Sequence, residues 1–285
     1  MKILVTGANG QLGTAIKKES STFPDLTIFY TDIEETDICS KESVQLALKK
    51  YAPNVVVNCA AYTAVDKAED EEDKAFALNA HAPANLAEQC KLMGVKLIHI
   101  STDYVFDGKS NVPYVETDKV NPQSVYGKSK LEGELRSMAL GNTMVIRTSW
   151  LYSAYGNNFM KTMLKYGKER PELRVVFDQT GTPTLANDLA YAILRIAESP
   201  ERLFIPEIFH FSNQGVCSWY DFAYEIIKQA GLTTKITPIT TSDYPTKAIR
   251  PQYSVLNKQK ITNLLEMEIP HWRQSLVKCL QEYLR

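Results

Sequence analysis

The 285-residue sequence predicts an α/β fold, a doubly wound parallel sheet followed by a smaller, mixed C-terminal region. Short β-branched or apolar runs alternate with longer stretches of helical spacing through the first half, the pattern of βα units whose strands are buried on both faces. A glycine-rich turn follows directly on the first of these runs. After about Tyr152 the rhythm weakens and proline-containing segments separate short helices.

Taken in order, the predicted strands are Ile3–Val5, Thr27–Tyr30, Val55–Asn58, Val95–Ile100 and Met144–Arg147. Between them, Thr14–Glu19, Ser43–Tyr51, Ala75–Met93 and Ser124–Leu140 carry apolar residues at the three- and four-residue spacing of amphipathic helices. The brief acidic run Glu69–Asp73 reads as a solvated helix start. In the second half, Thr182-Pro183-Thr184, Ser199-Pro200, Pro206, Tyr244-Pro245 and Arg250-Pro251 punctuate the chain. The length exceeds what one hydrophobic core usually spans. We therefore expect a dinucleotide-binding region at 1–152 that also carries catalytic residues, and a mainly substrate-binding region at 153–285, with room for segments of the second to return to the first.

Composition narrows the partners. With 32 basic against 33 acidic residues there is no basic field for nucleic acid or an anionic membrane, and a small-molecule partner is favoured. No apolar run approaches the ~18 residues of a membrane span, and the start of the chain runs straight into its first strand. Cys39, Cys59, Cys90, Cys217 and Cys279 are scattered, odd in number and without a C-x-x-C pair, which argues against a disulfide framework or zinc knuckle and suits a reducing cytoplasm. None of the four histidines has metal spacing, and His99, within an apolar strand, reads as core.

The turn Thr6-Gly7-Ala8-Asn9-Gly10-Gln11-Leu12-Gly13 stands between the first strand and the first helix. Glycine at this spacing allows a tight strand-to-helix turn, close approach of backbone to a pyrophosphate, and close packing of helix on sheet, while the helix N-terminus offers free N–H groups. Gly7, Gly10, Gln11, Leu12 and Gly13 are thus candidates for holding a dinucleotide on a Rossmann-type sheet. The second strand ends at Thr31-Asp32, nineteen residues beyond Gly13. A carboxylate there would bond the adenosine ribose and repel a 2′-phosphate, favouring NADH over NADPH; an aspartate at a strand end also serves as a helix cap. Asp37 and Ile38 are placed to meet the adenine edge. Ala60, Ala61, Tyr62 and Thr63 follow the third strand, where small residues admit the cofactor or simply pack the loop.

Ser124-Val125-Tyr126-Gly127-Lys128-Ser129-Lys130 contains Tyr-x-x-x-Lys, and positions i and i+4 of a helix share a face. An ammonium beside a phenol would favour the phenolate and lower the tyrosine's pKa. Tyr224 and Lys228 repeat the spacing, but on an ordinary amphipathic helix with no Ser/Thr loop leading into it. Ahead of the Tyr126 pair, Ser101-Thr102-Asp103-Tyr104 closes the fourth strand, at the carboxyl edge where open α/β sheets bind ligands. A hydroxyl (Thr102), a phenol (Tyr126) and an ammonium (Lys130) beside a dinucleotide are what hydride transfer to a ketone requires.

The glycine turn with Tyr126-x-x-x-Lys130 resembles the extended short-chain dehydrogenases/reductases. Further segments are similar to the dTDP-4-dehydrorhamnose reductase family over nearly the whole chain: Ala60–Glu69, Ser101–Gly108, Arg147–Trp150, Gly156–Phe159, Asp178–Thr184 and Arg250-Pro251. The resemblance implies reduction of dTDP-4-dehydro-β-L-rhamnose to dTDP-L-rhamnose for surface polysaccharide, with Tyr126 as proton donor and Lys130 also on the nicotinamide ribose. It implies that Val65, Thr102, Asp103 and Tyr104 meet the sugar and that Trp150 packs on the sugar or nucleotide side. Taken alone, Trp150 would read as core, and Arg250 either as a solvated loop residue or as a charge-assisted contact to the diphosphate. Two other readings stay open: a nucleotide-sugar epimerase, dehydratase or different reductase, and a non-catalytic dinucleotide-sensing subunit such as the regulatory partners of methionine adenosyltransferase, against which the intact Thr102, Tyr126 and Lys130 argue. Some members of the family dimerise through magnesium held by glutamates at positions that here are Ala15 and Asn187, with Asp188 adjacent. Alanine has no ligand oxygen and asparagine only a neutral one, so no bridging magnesium is expected, and the chain should be a monomer or a dimer built without metal.

Overall fold

The computed structural model describes residues 1–284. The first half runs β1 (Lys2–Thr6), α1 (Gln11–Glu19), β2 (Thr27–Thr31), α2 (Lys41–Tyr51), β3 (Val55–Asn58), α3 (Val65–Ala68), α4 (Glu72–Phe76), α5 (Ala82–Leu92), β4 (Lys96–Thr102), α6 (Val125–Met138) and β5 (Thr143–Thr148). The second continues with β6 (Leu151–Tyr152), α7 (Phe159–Glu169), β7 (Glu172–Val176), β8 (Thr180–Gly181), β9 (Thr184–Leu185), α8 (Ala186–Glu198), α9 (Pro200–Leu203) and β10 (Ile208–His210). It closes with β11 (Cys217–Ser218), α10 (Trp219–Gln229), β12 (Lys235–Ile239), α11 (Gln259–Leu265) and α12 (Trp272–Tyr283).

Six strands form one parallel sheet in the order β10-β5-β4-β3-β1-β2. The valines of β3 are wholly buried, as a central parallel strand covered by helices on both faces requires. The order reverses between β1 and β3, and their carboxyl ends open the crevice where doubly wound sheets take ligands. Beyond β9 the chain returns to the sheet: α8 lies against α1, and β10 adds the sixth strand beside β5. Residues 186–211 therefore share the main core with Ile3, Val5, Val55, Ile98 and Ile146. A second core, around Tyr152, Leu164, Phe222, Trp272 and Leu276, holds α7, α10 and α12 together beside the pairs β7–β12 and β8–β11.

Two departures from the sequence reading have physical causes. Strand β4 runs on to Thr102 rather than stopping at Ile100, because Ser101 and Thr102 still pair with Arg147 and Thr148 of β5. The helix expected over 75–93 is continuous but not regular: between α4 and α5 the turns widen at Ala77–His81, where the Ala82 N–H reaches back five residues to the Ala77 carbonyl. Pro83 explains this. It has no N–H for the Asn79 carbonyl and its ring would crowd that oxygen, so the helix bulges. The displaced carbonyl faces α6, where a Cβ on Gly133 would stand 2.0 Å from it.

Candidate active site

Gly7, Gly10, Asp32, Asp37, Ile38, Ala60 and Ala61 line a single cavity of about 310 Å³ at the carboxyl ends of β1, β2 and β3. Gly7 has φ +67°, and a Cβ there would meet the Ala60 nitrogen at 2.6 Å, so only glycine admits this turn against β3. Helix α1 starts at Gly10 with no side chain capping its first N–H groups, leaving a donor array suited to phosphate. The Asp32 carboxylate accepts from Asn9 N at 2.9 Å and from Ile33 N. Leu12 and Gly13 are buried in the first turn of α1. Gln11 turns elsewhere: its Oε1 accepts from Ser153 Oγ and Asn158 Nδ2, both at 2.9 Å, tying α1 to the second half. The sequence reading missed Ile33, Thr36, Cys39, Cys59 and Leu78, which complete this cavity. Ile33, directly after the acid, is 72% exposed, a property that the fold shows and the sequence did not mark.

Thr102, Asp103, Tyr104, Tyr126 and Lys130 come together where β4 ends and α6 begins. Ser124 caps α6 by accepting from Gly127 N, which fixes the first turn that bears Tyr126. The Tyr104 ring meets the Tyr126 ring edge-on at 5.4 Å. Thr102 donates to Asp103 Oδ1 at 3.0 Å, while Asp103 Oδ2 is buried without a partner. Lys130 is 2 % exposed and donates its Nζ to the Ile100 carbonyl at 2.6 Å. The electrostatics correct one expectation: the Tyr126 phenol is not drawn down by Lys130. Burial pushes it up to about 12, against a polar interaction with Thr102, and burial brings Lys130 down to about 8. At neutral pH Tyr126 is therefore a phenol with a proton to give. Burial also raises the Asp103 carboxyl to about 6.

Other buried groups place this cluster. Asn79, in the widened turn, holds the Tyr62 backbone from both sides, accepting from its N–H at 2.8 Å and donating to its carbonyl at 3.0 Å, and also donates to Ser129 Oγ on α6. Glu134 on α6 takes Arg147 of β5 in a fork of 2.7–3.2 Å with both side chains buried. Asn58 links β1 to β4 through Thr6 Oγ1 and His99 Nδ1 and accepts from Ala60 N. His99 is fully buried, with its pKa lowered by burial.

A larger cavity of about 680 Å³ opens between α7, β7 and the segment 239–250, with Phe159, Tyr166 and Trp219 as aromatic lining and Arg170, Arg174 and Arg250 as cations. Arg250 is half-buried and engaged: Asp66 receives its two Nη atoms at 2.6 and 3.1 Å and also the Ala248 N–H at 3.1 Å. That pairing holds the Asp66 carboxyl below its usual range and sets Arg250 in place with three N–H donors still free. Val65 opens α3 next to Asp66, and Thr63 lies in the loop ahead of it. Trp150 is not among the lining residues of this cavity; it stacks on Trp219, which is. Nothing periodic marked Arg170, Arg174 or Trp219 in the sequence, because only tertiary packing brings them together.

Ala15 is fully buried, Asn187 donates to Glu19, and Asp188 accepts from Asn213 and Ser275 inside the core. Among the described residues no cluster of three metal-ligating side chains occurs, and no helix is long and apolar enough to cross a membrane.

Comparison with known proteins places this geometry. Residues 1–285 match the family model described as the RmlD substrate binding domain. The spore coat polysaccharide biosynthesis protein SpsK of Bacillus subtilis is 42% identical over 282 residues, 99% of this chain and 97% of that protein. The crystal structure of a dTDP-4-dehydrorhamnose reductase from Clostridium acetobutylicum superposes with a TM-score of 0.94 at 44% identity, covering 100% of both chains. That of Bacillus anthracis dTDP-4-dehydrorhamnose reductase in complex with NADP does so with a TM-score of 0.93 at 37% identity, covering 99% of each.

Proposed function

The chain belongs to the dTDP-4-dehydrorhamnose reductase family, a family of NAD(P)H-dependent oxidoreductases, and from that premise we propose that it reduces dTDP-4-dehydro-β-L-rhamnose to dTDP-L-rhamnose. The observation that carries the reading is the group Thr102, Tyr126 and Lys130 at the carboxyl end of β4, with Tyr126 kept as a phenol.

The dinucleotide fits the cavity walled by Gly7, Gly10, Asp32, Asp37, Ile38, Ala60 and Ala61, with Leu12, Gly13 and the uncapped start of α1 serving the phosphates. When bound, the reduced nicotinamide supplies the hydride. Tyr126 gives its proton to the oxygen of the C4 ketone, Thr102 turns its one hydroxyl proton from Asp103 Oδ1 to the same oxygen, and Lys130, one turn along α6, serves the nicotinamide ribose. Val65, Asp103 and Tyr104 border the sugar, and Arg250, preset by Asp66, meets the diphosphate. The larger cavity, with its aromatic lining and guanidinium groups, receives the nucleotide. The five cysteines are all free thiols, in keeping with work in the cytoplasm.

The test is cofactor oxidation with dTDP-4-dehydrorhamnose, NADH and NADPH in separate assays. Stoichiometric consumption distinguishes a reductase from an epimerase or dehydratase that retains its cofactor, and no turnover with either cofactor would sink the reading. Asp32 argues for NADH, while the Bacillus anthracis relative holds NADP. Asp32→Ala should improve kcat/KM for NADPH relative to NADH by about tenfold, the removal of one carboxylate facing a 2′-phosphate; an unchanged ratio would make Asp32 structural.

A further inference from the structure

The loop between β6 and α7 leads into Gly156-Asn157-Asn158-Phe159, a segment to which the mechanism assigns nothing, and it closes on Gln11, the first residue of α1. Gln11 Oε1 has Asn158 Nδ2 and Ser153 Oγ each at 2.9 Å. Gly156, at φ +59°, lies against the Gln11 stem, where a Cβ would stand 3.0 Å from Cγ. The left-handed backbone and the close approach both call for glycine there.

The donors show which bond is fixed. Asn158 Nδ2 also has the Ser153 carbonyl at 2.8 Å and the Tyr155 carbonyl at 3.3 Å, so it faces oxygens alone and presents its hydrogens to them. Gln11 therefore meets it with oxygen, not nitrogen. Ser153 has one hydroxyl proton and a second acceptor in the Tyr155 carbonyl at 2.8 Å, which makes Asn158 the constant partner. At its other end, Asn158 Oδ1 accepts from Lys161 N at 3.1 Å as the cap of α7. One asparagine thus holds Gln11 with its nitrogen and starts α7 with its oxygen.

The two helices serve different ligands. Gln11, Leu12 and Gly13 open α1, whose first N–H groups have no partner within the helix and serve the dinucleotide phosphates in the proposed mechanism. Phe159, Thr162, Met163 and Tyr166, at helical spacing on α7, wall the larger cavity. Leu12, Ala15 and Ile16 place α1 in the core of the main sheet, whereas Met160, Met163 and Leu164 place α7 in the second core. The Gln11–Asn158 bond therefore links two separately packed cores.

We propose that Gln11 and Asn158 are positioning residues that couple the two ligand sites. Dinucleotide seated on the first turn of α1 fixes Gln11, Gln11 fixes the start of α7 through Asn158, and each ligand binds more tightly when the other is present. This rests on the reading that α1 receives the dinucleotide phosphates and the larger cavity the nucleotide sugar. Both ligands need the same link ordered, so whichever arrives second finds it already in place.

The experiment measures Kd for dTDP by titration calorimetry on the full chain, alone and with saturating NADH or NADPH; dTDP has no sugar ketone, so the ternary complex does not react. In wild type the dinucleotide should lower that Kd at least about fivefold. Gln11→Met keeps the stem against Gly156 and deletes the acceptor, while the Ser153 and Asn158 donors still have the Tyr155 carbonyl. It should bring the ratio of the two constants within about twofold of one, with Kd for the dinucleotide alone moving less than about threefold. Asn158→Asp keeps the α7 cap but loses the donor and should do the same, with the double variant no worse than either single one. Gln11→Glu retains an oxygen for Asn158 and should retain the ratio even where its charge weakens the dinucleotide. A merely structural role would shift both dTDP constants together and leave their ratio alone. A ratio near one in wild type overturns the proposal, as does a wild-type ratio in Gln11→Met or a loss in Gln11→Glu equal to that in Gln11→Met. Wild type that binds no dTDP in either state defeats the cavity reading and the coupling with it; wild type that shows the coupled ratio but turns over no dTDP-4-dehydrorhamnose defeats the reductase reading alone.

Discussion

Tyr126 and Lys130 occupy one face of α6, yet burial rather than their mutual charge governs both. The phenol stays protonated through neutral pH, as the proposed acid must, and on that reading Tyr126→Phe removes a proton needed only in the transition state. We expect kcat to fall at least about 100-fold with dinucleotide affinity nearly unchanged by fluorescence titration, and Lys130→Ala to damage both. Turnover near wild type in Tyr126→Phe would move the acid elsewhere. Asp103 shows the cost of such a site. Its carboxyl is raised from 3.8 to about 6, so between about pH 4 and 6 the native state holds a proton that the unfolded chain has released, and stability falls as pH rises through that window. At pH 7 the whole penalty is present, up to about 3 kcal/mol for two pKa units. Asp103→Asn should therefore melt several degrees higher at pH 7, with the gap closing below about pH 4, while the contact proposed between Asp103 and the sugar predicts a drop in activity. Equal melting temperatures across that range would show that the carboxyl is not buried as described.

At the scale of elements, the catalytic face of α6 is set by contacts at some distance from it. Pro83 frees the Asn79 carbonyl, the bulge turns it towards Gly133, and Asn79 then bonds Tyr62 and Ser129. One turn further along α6, the Glu134–Arg147 fork ties the helix to β5. Breaking a buried pair leaves an unpaired charge and costs about 3–5 kcal/mol. Glu134→Ala should lower the denaturant midpoint accordingly and reduce kcat through a displaced Tyr126; a midpoint close to wild type is the contrary result. These contacts also mark what the sequence could reveal. The glycine turn, the Tyr-x-x-x-Lys face and Thr102 were legible because their chemistry lies within a single turn or strand end. The bulge was hidden in a helical pattern with Pro83 as its one sign. Trp219 and the Asp66–Arg250 pair were invisible, since the latter joins residues 184 positions apart and no local period encodes such closure. The second half could be read as mixed, but the return of α8 and β10 to the sheet depends on long-range packing of runs too short to declare their partners.

At the scale of the whole molecule, the question is what α1 and α8 present to a second copy. They pack against each other, and the metal bridge expected of some family members would lie at the positions held here by Ala15 and Asn187. Ala15 is sealed inside the core, and Asn187 donates its Nδ2 to Glu19, leaving only its neutral, buried Oδ1 without a partner. Asp188, the next residue in the chain, points inward: Oδ2 accepts from Asn213 at 2.7 Å and Ser275 at 2.5 Å, tying α8 to α12. Recruiting it to a surface ion would strip a buried network of its acceptor and leave two donors unsatisfied, at about 1–3 kcal/mol each. Magnesium, which keeps near-octahedral oxygen coordination anchored by carboxylate, offers too little in return from one neutral amide oxygen. We therefore expect sedimentation velocity to give the same species, monomer or metal-free dimer, in EDTA and in millimolar magnesium, with unchanged specific activity. Asn187→Glu, together with Ala15→Glu where the core tolerates it, is the variant that could acquire a metal response; a magnesium-dependent shift in the wild-type chain would overturn the argument.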